Sequence, residues 1–145
     1  CETLHFKNRI SMNMLIANNF KKIIDNNIIL ATQDKNIKPT YFPKRTAEDG
    51  KIIWEDMDMR RIHNHIRAQT KPFPGAFSFL KNQKIYFWKA HPFDGMINYP
   101  DYPGTVVEKF YDGTFLVNLW DGTIRVVDFS MVIDSINVGD RFMNE

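Results

Sequence analysis

Cysteine is almost missing from this chain: Cys1 is the only one among 145 residues. No intrachain disulfide can form, which suits a reducing cytoplasm. A thiol at the first position reads as a matter of where the chain starts rather than as a nucleophile. Long hydrophobic runs are also missing. The longest, Met14–Ala17 and Ile28–Ala31, are far too short to span a bilayer, and no charged-then-apolar leader precedes them. These absences predict a soluble, cytoplasmic chain with no membrane partner. There is no glycine-rich phosphate loop, no nucleophile elbow and no low-complexity segment. The chain starts without methionine on what looks like the approach to a helix, so it reads as processed or as a piece of something longer.

What is present fits one compact domain, or one domain with a small appendage: 145 residues, 43% of them hydrophobic. A chain of this size buries roughly 68–70% of its unfolded surface, so it needs no covalent staple. The net charge of +2 conceals an asymmetry. Residues 1–80 hold 13 Lys/Arg against 8 Asp/Glu, and residues 81–145 hold 6 against 9. Nucleic-acid surfaces concentrate cations, so the second part disfavours that partner and any anionic ligand belongs to the first.

Ile10, Met14, Ala17, Phe20 and Ile24 recur at helical spacing, with Lys7, Arg9, Lys21 and Lys22 for a wet side. That pattern predicts a packing helix from about Leu4 to Asp25, capped by Thr3 and stopped by Asn26-Asn27. Residues 28–40 have no period, and Pro39 and Pro43 bracket an extended stretch. A second helix is predicted over Met59 to Gln69, capped by Asp56 or Asp58, with Met59, Ile62 and Ile66 on one face. Pro72 and Pro74 end it, and Gly75 lets the chain turn away. From Lys84 the period becomes two. Ile85–Trp88, Thr105–Phe110, Thr114–Trp120 and Ile124–Phe129 read as strands, and Asp112-Gly113 and Asp121-Gly122 read as hairpin turns. Val132, Ile133, Ile136 and the Val138–Phe142 tail supply one or two closing strands. The expected fold is α+β: a helical front half followed by an antiparallel β meander, a small open-barrel-like subdomain.

The residues themselves suggest little catalysis. His63 and His65 point about 200° apart on a helix and cannot share an ion without distortion, while His5 and His91 have no clustered ligands. No metal site is expected. Glu48-Asp49 and Glu55-Asp56 sit beside turns, where carboxylates serve as caps and solvated charge. Lys44-Arg45 offers a point charge beside a planar fork, suited to a diphosphate or simply to water. The aromatics Tyr86 and Trp88 read as core. Phe73 and Phe77, in the proline corner, suit either a core or a stacking surface.

The order of features from Pro43 to Phe79 carries a resemblance. Pro43-Lys44-Arg45-Thr46-Ala47-Glu48-Asp49-Gly50 is followed by Ile52-Ile53-Trp54, by Ile62–Ala68, and by Lys71-Pro72-Phe73-Pro74-Gly75-Ala76-Phe77. It resembles the segment after the catalytic domain of folate-dependent formyltransferases, most closely the sugar-nucleotide N-formyltransferases. The resemblance runs from Thr3 to about Phe142. It implies that residues 1–80 are the helical tail and connector of the catalytic domain, and that 81–145 form a C-terminal β subdomain. It implies a parent enzyme that moves a formyl group from formyl-tetrahydrofolate to an amino sugar on a nucleoside diphosphate, of the kind used in O-antigen and other surface polysaccharides. Lys44 and Arg45 then border the acceptor site, with Phe73 and Phe77 as substrate-binding aromatics. The family's reaction centre, an Asn-x-His motif and a later Asp, belongs to an upstream domain that also binds the folate. No Asn-x-His occurs here, so no catalytic residue is assigned, no cofactor is expected on this chain alone, and the upstream catalytic domain is an expected partner. The resemblance admits a homodimer. Two alternatives stand beside it: the RNA-binding part of a methionyl-tRNA formyltransferase, whose corner tends to carry tryptophan, and a stand-alone interaction domain.

Overall fold

The computed structural model describes residues 2–94, 99, 101–131 and 135–143. Contacts divide the chain into two compact units, Glu2–Arg45 and Thr46–Glu145. Cys1, Val132 and Ile133 lie outside the described residues.

The first unit holds helix α1, Glu2–Ile24. Thr3 lies inside the helix rather than at its cap. The expected asparagine stop has a defined geometry. Asn26 takes a positive φ of 51°, its N–H donates to the Ile23 carbonyl at 3.2 Å, and the Asn27 N–H donates to the Lys22 carbonyl at 2.9 Å. This is a Schellman ending, with asparagine in the left-handed position that glycine usually fills. Lys21 and Lys22 occupy the last turn, where cations oppose the helix dipole. The periodic stripe is not the whole apolar surface. Leu4, Phe6, Met12, Leu15, Ile16 and Ile23 are exposed as well, at positions that run around the axis. Residues 26–45 follow without helix or strand. No described helix is long and apolar enough to cross a membrane.

The second unit opens with a short 3-10 turn at Ala47–Gly50, then helix α2, Met59–Gln69. Asp58 caps α2 as expected, its carboxylate accepting from the Arg61 N–H at 2.7 Å. A second carboxylate does the same work from far away: both oxygens of Asp121 accept from the Met59 N–H, at 2.9 and 3.1 Å. Replacing Asp121 with Ala should therefore cost about 1 kcal/mol, as much as a lost local cap. Asp56→Ala, at an exposed side chain with no hydrogen bond among the described residues, should shift the urea midpoint much less. Equal shifts for the two would refute the remote cap.

Five antiparallel strands follow: β1 (Ala76–Leu80), β2 (Gln83–Asp94), β3 (Val106–Lys109), β4 (Phe115–Leu119) and β5 (Gly122–Phe129). Periodicity places the first strand at Lys84; the structure adds β1 before it, paired with β2 from Ala76↔Phe87 to Leu80↔Gln83. Residues on both sides of position 80 thus share one sheet. The order is β1-β2-β5-β4-β3. The strands β3, β4 and β5 make the expected meander, and β2 lies beside β5, a Greek-key arrangement. Gly113, with φ of 81°, turns the first hairpin. The second is tighter: Leu119 pairs with Gly122, so Trp120 and Asp121 are its two loop residues.

The sheet is not closed by strands. The tail residues expected to form closing strands make isolated bridges instead, Thr105↔Arg141 and Phe79↔Met143. They lie between the two sheet edges and satisfy backbone groups on each, among them Val106 N–H to Asp140 O at 2.8 Å and Phe79 N–H to Met143 O at 3.1 Å. Lys81 clamps this tail through Asp140 at 2.7 Å. Burial pushes the Asp140 carboxyl up, but bonds from Lys81 and the Asn137 N–H outweigh it and leave its pKa below the ordinary value. The core beneath is aromatic. Trp54 stacks on Phe142 at 5.5 Å and meets Phe87 edge-on at 5.7 Å. Ile62 and Ile66 bring α2 into the same cluster.

Candidate functional site

The residues singled out in the sequence fall in two places. Lys44 and Arg45 end the first unit in a non-helical, exposed stretch. Thr46 begins the second unit with a turn held by its own side chains. The Asp49 carboxylate accepts from the Thr46 N–H and, at 3.0 Å, from its hydroxyl. Gly50 is buried at the end of this turn, and the next residues pair with β1 through the Ile52 N–H to Phe77 carbonyl bond of 2.8 Å.

Two glycines bring the acidic turn and the proline corner together. A Cβ on Gly50 would run into the carbonyl oxygen of Gly75. Gly75 itself has φ of 104°, and a Cβ there would meet the rings of Trp88 and Tyr86. The Asp49-Gly50 and Pro74-Gly75 turns, separate features in the sequence, are thus one packed joint. Gln69 from the end of α2 donates to the Asp49 carbonyl at 3.5 Å.

The corner's two phenylalanines have different fates. Phe77 is 1% exposed, whereas Phe73 is 44% exposed. The Phe77 ring carries Lys84 Nζ 3.5 Å from its centroid and meets the Phe79 edge at 5.9 Å. Tyr86 and Trp88, expected in the core, are half-buried on the opposite face of β2 from the buried Ile85 and Phe87. Alternation decides this: once Phe87 points inward, its neighbours must point out. The two rings stack on each other at 5.7 Å and 14°. Lys71 Nζ caps Trp88 at 5.1 Å, and Lys84 lies 5.7 Å from Tyr86. The result is a strip of cations and rings (Lys71, Trp88, Tyr86, Lys84, Phe77) on the outer face of the β1–β2 hairpin, each cation–ring contact of the kind worth roughly 0.5–1 kcal/mol near solvent. Glu48 reaches Lys84 at 3.4 Å, which ties the acidic turn to the strip.

Sequence reasoning missed one further pairing. His63 of α2 and His91 of β2 bring their rings within 6.2 Å at 46°. Helical spacing compares His63 only with His65; nothing local announces a strand residue beside it. Burial, then Arg67, then His91 hold the His63 pKa below its ordinary value. Among the described residues no three metal-binding side chains come together.

The profile of the family described as formyl transferase, C-terminal domain, matches residues 44–133. Among solved structures, a multiply substituted variant of HypX from Aquifex aeolicus is similar, at 18% identity and TM-score 0.61 over 79% of this chain and 19% of that one. HypX in complex with tetrahydrofolic acid is similar at 21% identity and TM-score 0.51, over 66% of this chain and 17% of that one. These structural likenesses concern the fold, and this chain spans less than a fifth of the length of HypX in the first match.

Proposed function

The chain belongs to the formyl transferase C-terminal domain family, and from that premise we propose that it is the C-terminal part of an enzyme transferring a formyl group from formyl-tetrahydrofolate to the amine of a nucleotide-linked amino sugar. In that reaction the amine nitrogen bonds to the formyl carbon, the bond from that carbon to the folate nitrogen breaks, and the proton lost by the amine is made good at the folate nitrogen, which leaves as tetrahydrofolate. The folate and the proton acceptor belong to the upstream catalytic domain. HypX has been solved with tetrahydrofolic acid, which supports a folate-linked parent.

The observation that carries the sugar-nucleotide assignment is the corner Pro72-Phe73-Pro74-Gly75-Ala76-Phe77, where methionyl-tRNA enzymes tend to carry tryptophan. The excess of acidic residues in 81–145 supports it too. Lys44 and Arg45 would hold the diphosphate, the first as a point charge and the second as a fork. Phe73 and Phe77 are the substrate-binding aromatics of this reading; the Phe73 ring is accessible, and the Phe77 ring is 1% exposed. A homodimer is compatible with this assignment.

The test uses the intact parent. Arg45→Ala removes a charge-assisted bond of about 1.5–3 kcal/mol, so affinity for the sugar nucleotide should fall roughly ten- to a hundredfold. Folate affinity should stay the same. A folded variant with unchanged sugar-nucleotide affinity would reject the phosphate-holding role. The chain alone should release no tetrahydrofolate above the blank when given formyl-folate and aminosugar nucleotides.

A further inference from the structure

The cations of the second unit are unevenly matched. Residues 46–145 carry 11 Lys/Arg against 14 Asp/Glu, so an acidic partner could be expected for each. The described ion pairs use Lys81, Lys84, Arg125 and Arg141. None of them uses α2, whose Arg60, His63 and Arg67 recur at spacings of three and four along one side of the helix. His91 of β2 faces His63 across the helix–sheet contact, with ring centroids 6.2 Å apart. Arg67 is exposed, and its hydrogen bond among the described residues is a long one, 3.4 Å to the Asn64 side chain.

Other charges approach from the sheet. On β5, Arg125 lies opposite His91 in the register, held by Asp112 at 2.6 Å and by the Thr114 hydroxyl at 2.9 Å. Asp128 of β5 lies opposite Lys89, two residues before His91. The charges that act on His63 are those of Arg67 and His91, with no carboxylate among them. Two imidazoles therefore face each other between α2 and β2, the Arg67 charge acts on one of them, and no ion pair among the described residues uses any of the three. Such a cluster is costly when fully protonated and is relieved by an anion that accepts several N–H bonds at once.

We propose that His63, His91 and Arg67 form a solvent-open site for a phosphate group, inorganic or carried by a nucleotide, which is taken up together with a proton. Arg67 supplies the planar fork, and the two rings supply N–H donors once protonated. This assignment does not rest on the sugar-nucleotide reading. Coupling to the proton follows from the electrostatics. The apo site disfavours imidazolium at His63, the bound anion favours it, and affinity must rise as pH falls through the histidine range.

The experiment is an NMR titration of the histidine ring signals on the full chain, at constant ionic strength set with sodium chloride. The probes are inorganic phosphate, uridine diphosphate and sulfate; sulfate keeps its charge across the range, so its pH dependence reads the histidines. Saturable shifts at both His63 and His91 are expected with each probe, together with a rise of about one unit in the His63 pKa. One unit is tenfold tighter binding to the charged ring. Arg67→Ala should weaken binding about tenfold while the α2 amide signals keep their dispersion. His63→Gln should bind weakly and lose the pH dependence. Saturation by inorganic phosphate and uridine diphosphate alike supports recognition of the phosphate group. Shifts that are linear and equal with chloride, saturation by uridine diphosphate alone, or an Arg67→Ala variant that binds as well as the parent chain would each overturn the site.

Discussion

Trp54→Ala should be the most damaging single substitution in the second unit. The side chain is fully buried, stacked on Phe142 and edge-on to Phe87. Its indole N–H donates to the Ser78 hydroxyl at 2.9 Å, and that hydroxyl donates to the Met143 carbonyl at 2.9 Å. Truncating a buried tryptophan costs about 3–5 kcal/mol, and the lost hydrogen bond adds roughly 1 kcal/mol. Against a typical total of about 5–15 kcal/mol, that is a large share of the stability. The damage has a location, because Trp54 packs on Phe142 of the tail that lies between the two sheet edges. Amides of Phe79 and Met143 should lose exchange protection first. Trp54→Phe keeps a ring in place and should cost far less than the alanine variant. Urea unfolding followed by far-UV circular dichroism measures both. A shift under about 1 kcal/mol for Trp54→Ala would show that this stack does not hold the tail.

Gly75→Ala should be nearly as severe, for a different reason. Its φ of 104° is strained for any residue with a Cβ, a cost of about 1–3 kcal/mol. The new methyl would also sit 2.7 and 2.8 Å from two atoms of the Trp88 ring, and overpacking of that kind adds roughly 1–3 kcal/mol. Two companions separate these effects. Gly113 has φ of 81° with nothing within 4 Å of its would-be Cβ, so Gly113→Ala reports backbone strain alone. In a Trp88→Ala background the steric part of Gly75→Ala should vanish and the strain should remain, a coupling that a double-mutant cycle reads directly. Equal costs for Gly75→Ala with and without Trp88 would remove the ring collision from the account. Gly50→Ala faces a less forgiving neighbour, since the atom it would strike is the backbone carbonyl of Gly75 rather than a ring that can swing.

These substitutions also mark how far the amino-acid order could be read. The period of two, read from Lys84, starts one strand too late, whereas the limits of α2, a cap at Asp56 or Asp58, the asparagine ending of α1 and the Asp112-Gly113 turn are all legible in the amino-acid order. Each depends on bonds and dihedrals within a few residues, where local chemistry dominates. The apolar residues around α1 are equally visible, but a single periodic face predicts one stripe, and Phe6, Met12 and Ile16 fall outside it.

Chain order could not say which of Phe73 and Phe77 is buried, nor which face of β2 carries Tyr86 and Trp88. The face of β2 follows from β1 pairing with β2 in the register Phe77↔Tyr86, and a one-residue slip would exchange the faces; Phe77 is buried on the face it shares with Tyr86 because the turn at Gly50 packs against its ring. Asp121 reads as a turn residue, yet it caps a helix 62 positions earlier. The strand order β1-β2-β5-β4-β3 and the packing of α2 on β2 decide that contact, as they decide the approach of His91 to His63. An alternating pattern states which side of a strand is apolar. It carries no information about which strand lies beside it, because that choice is made by the shape of the whole core.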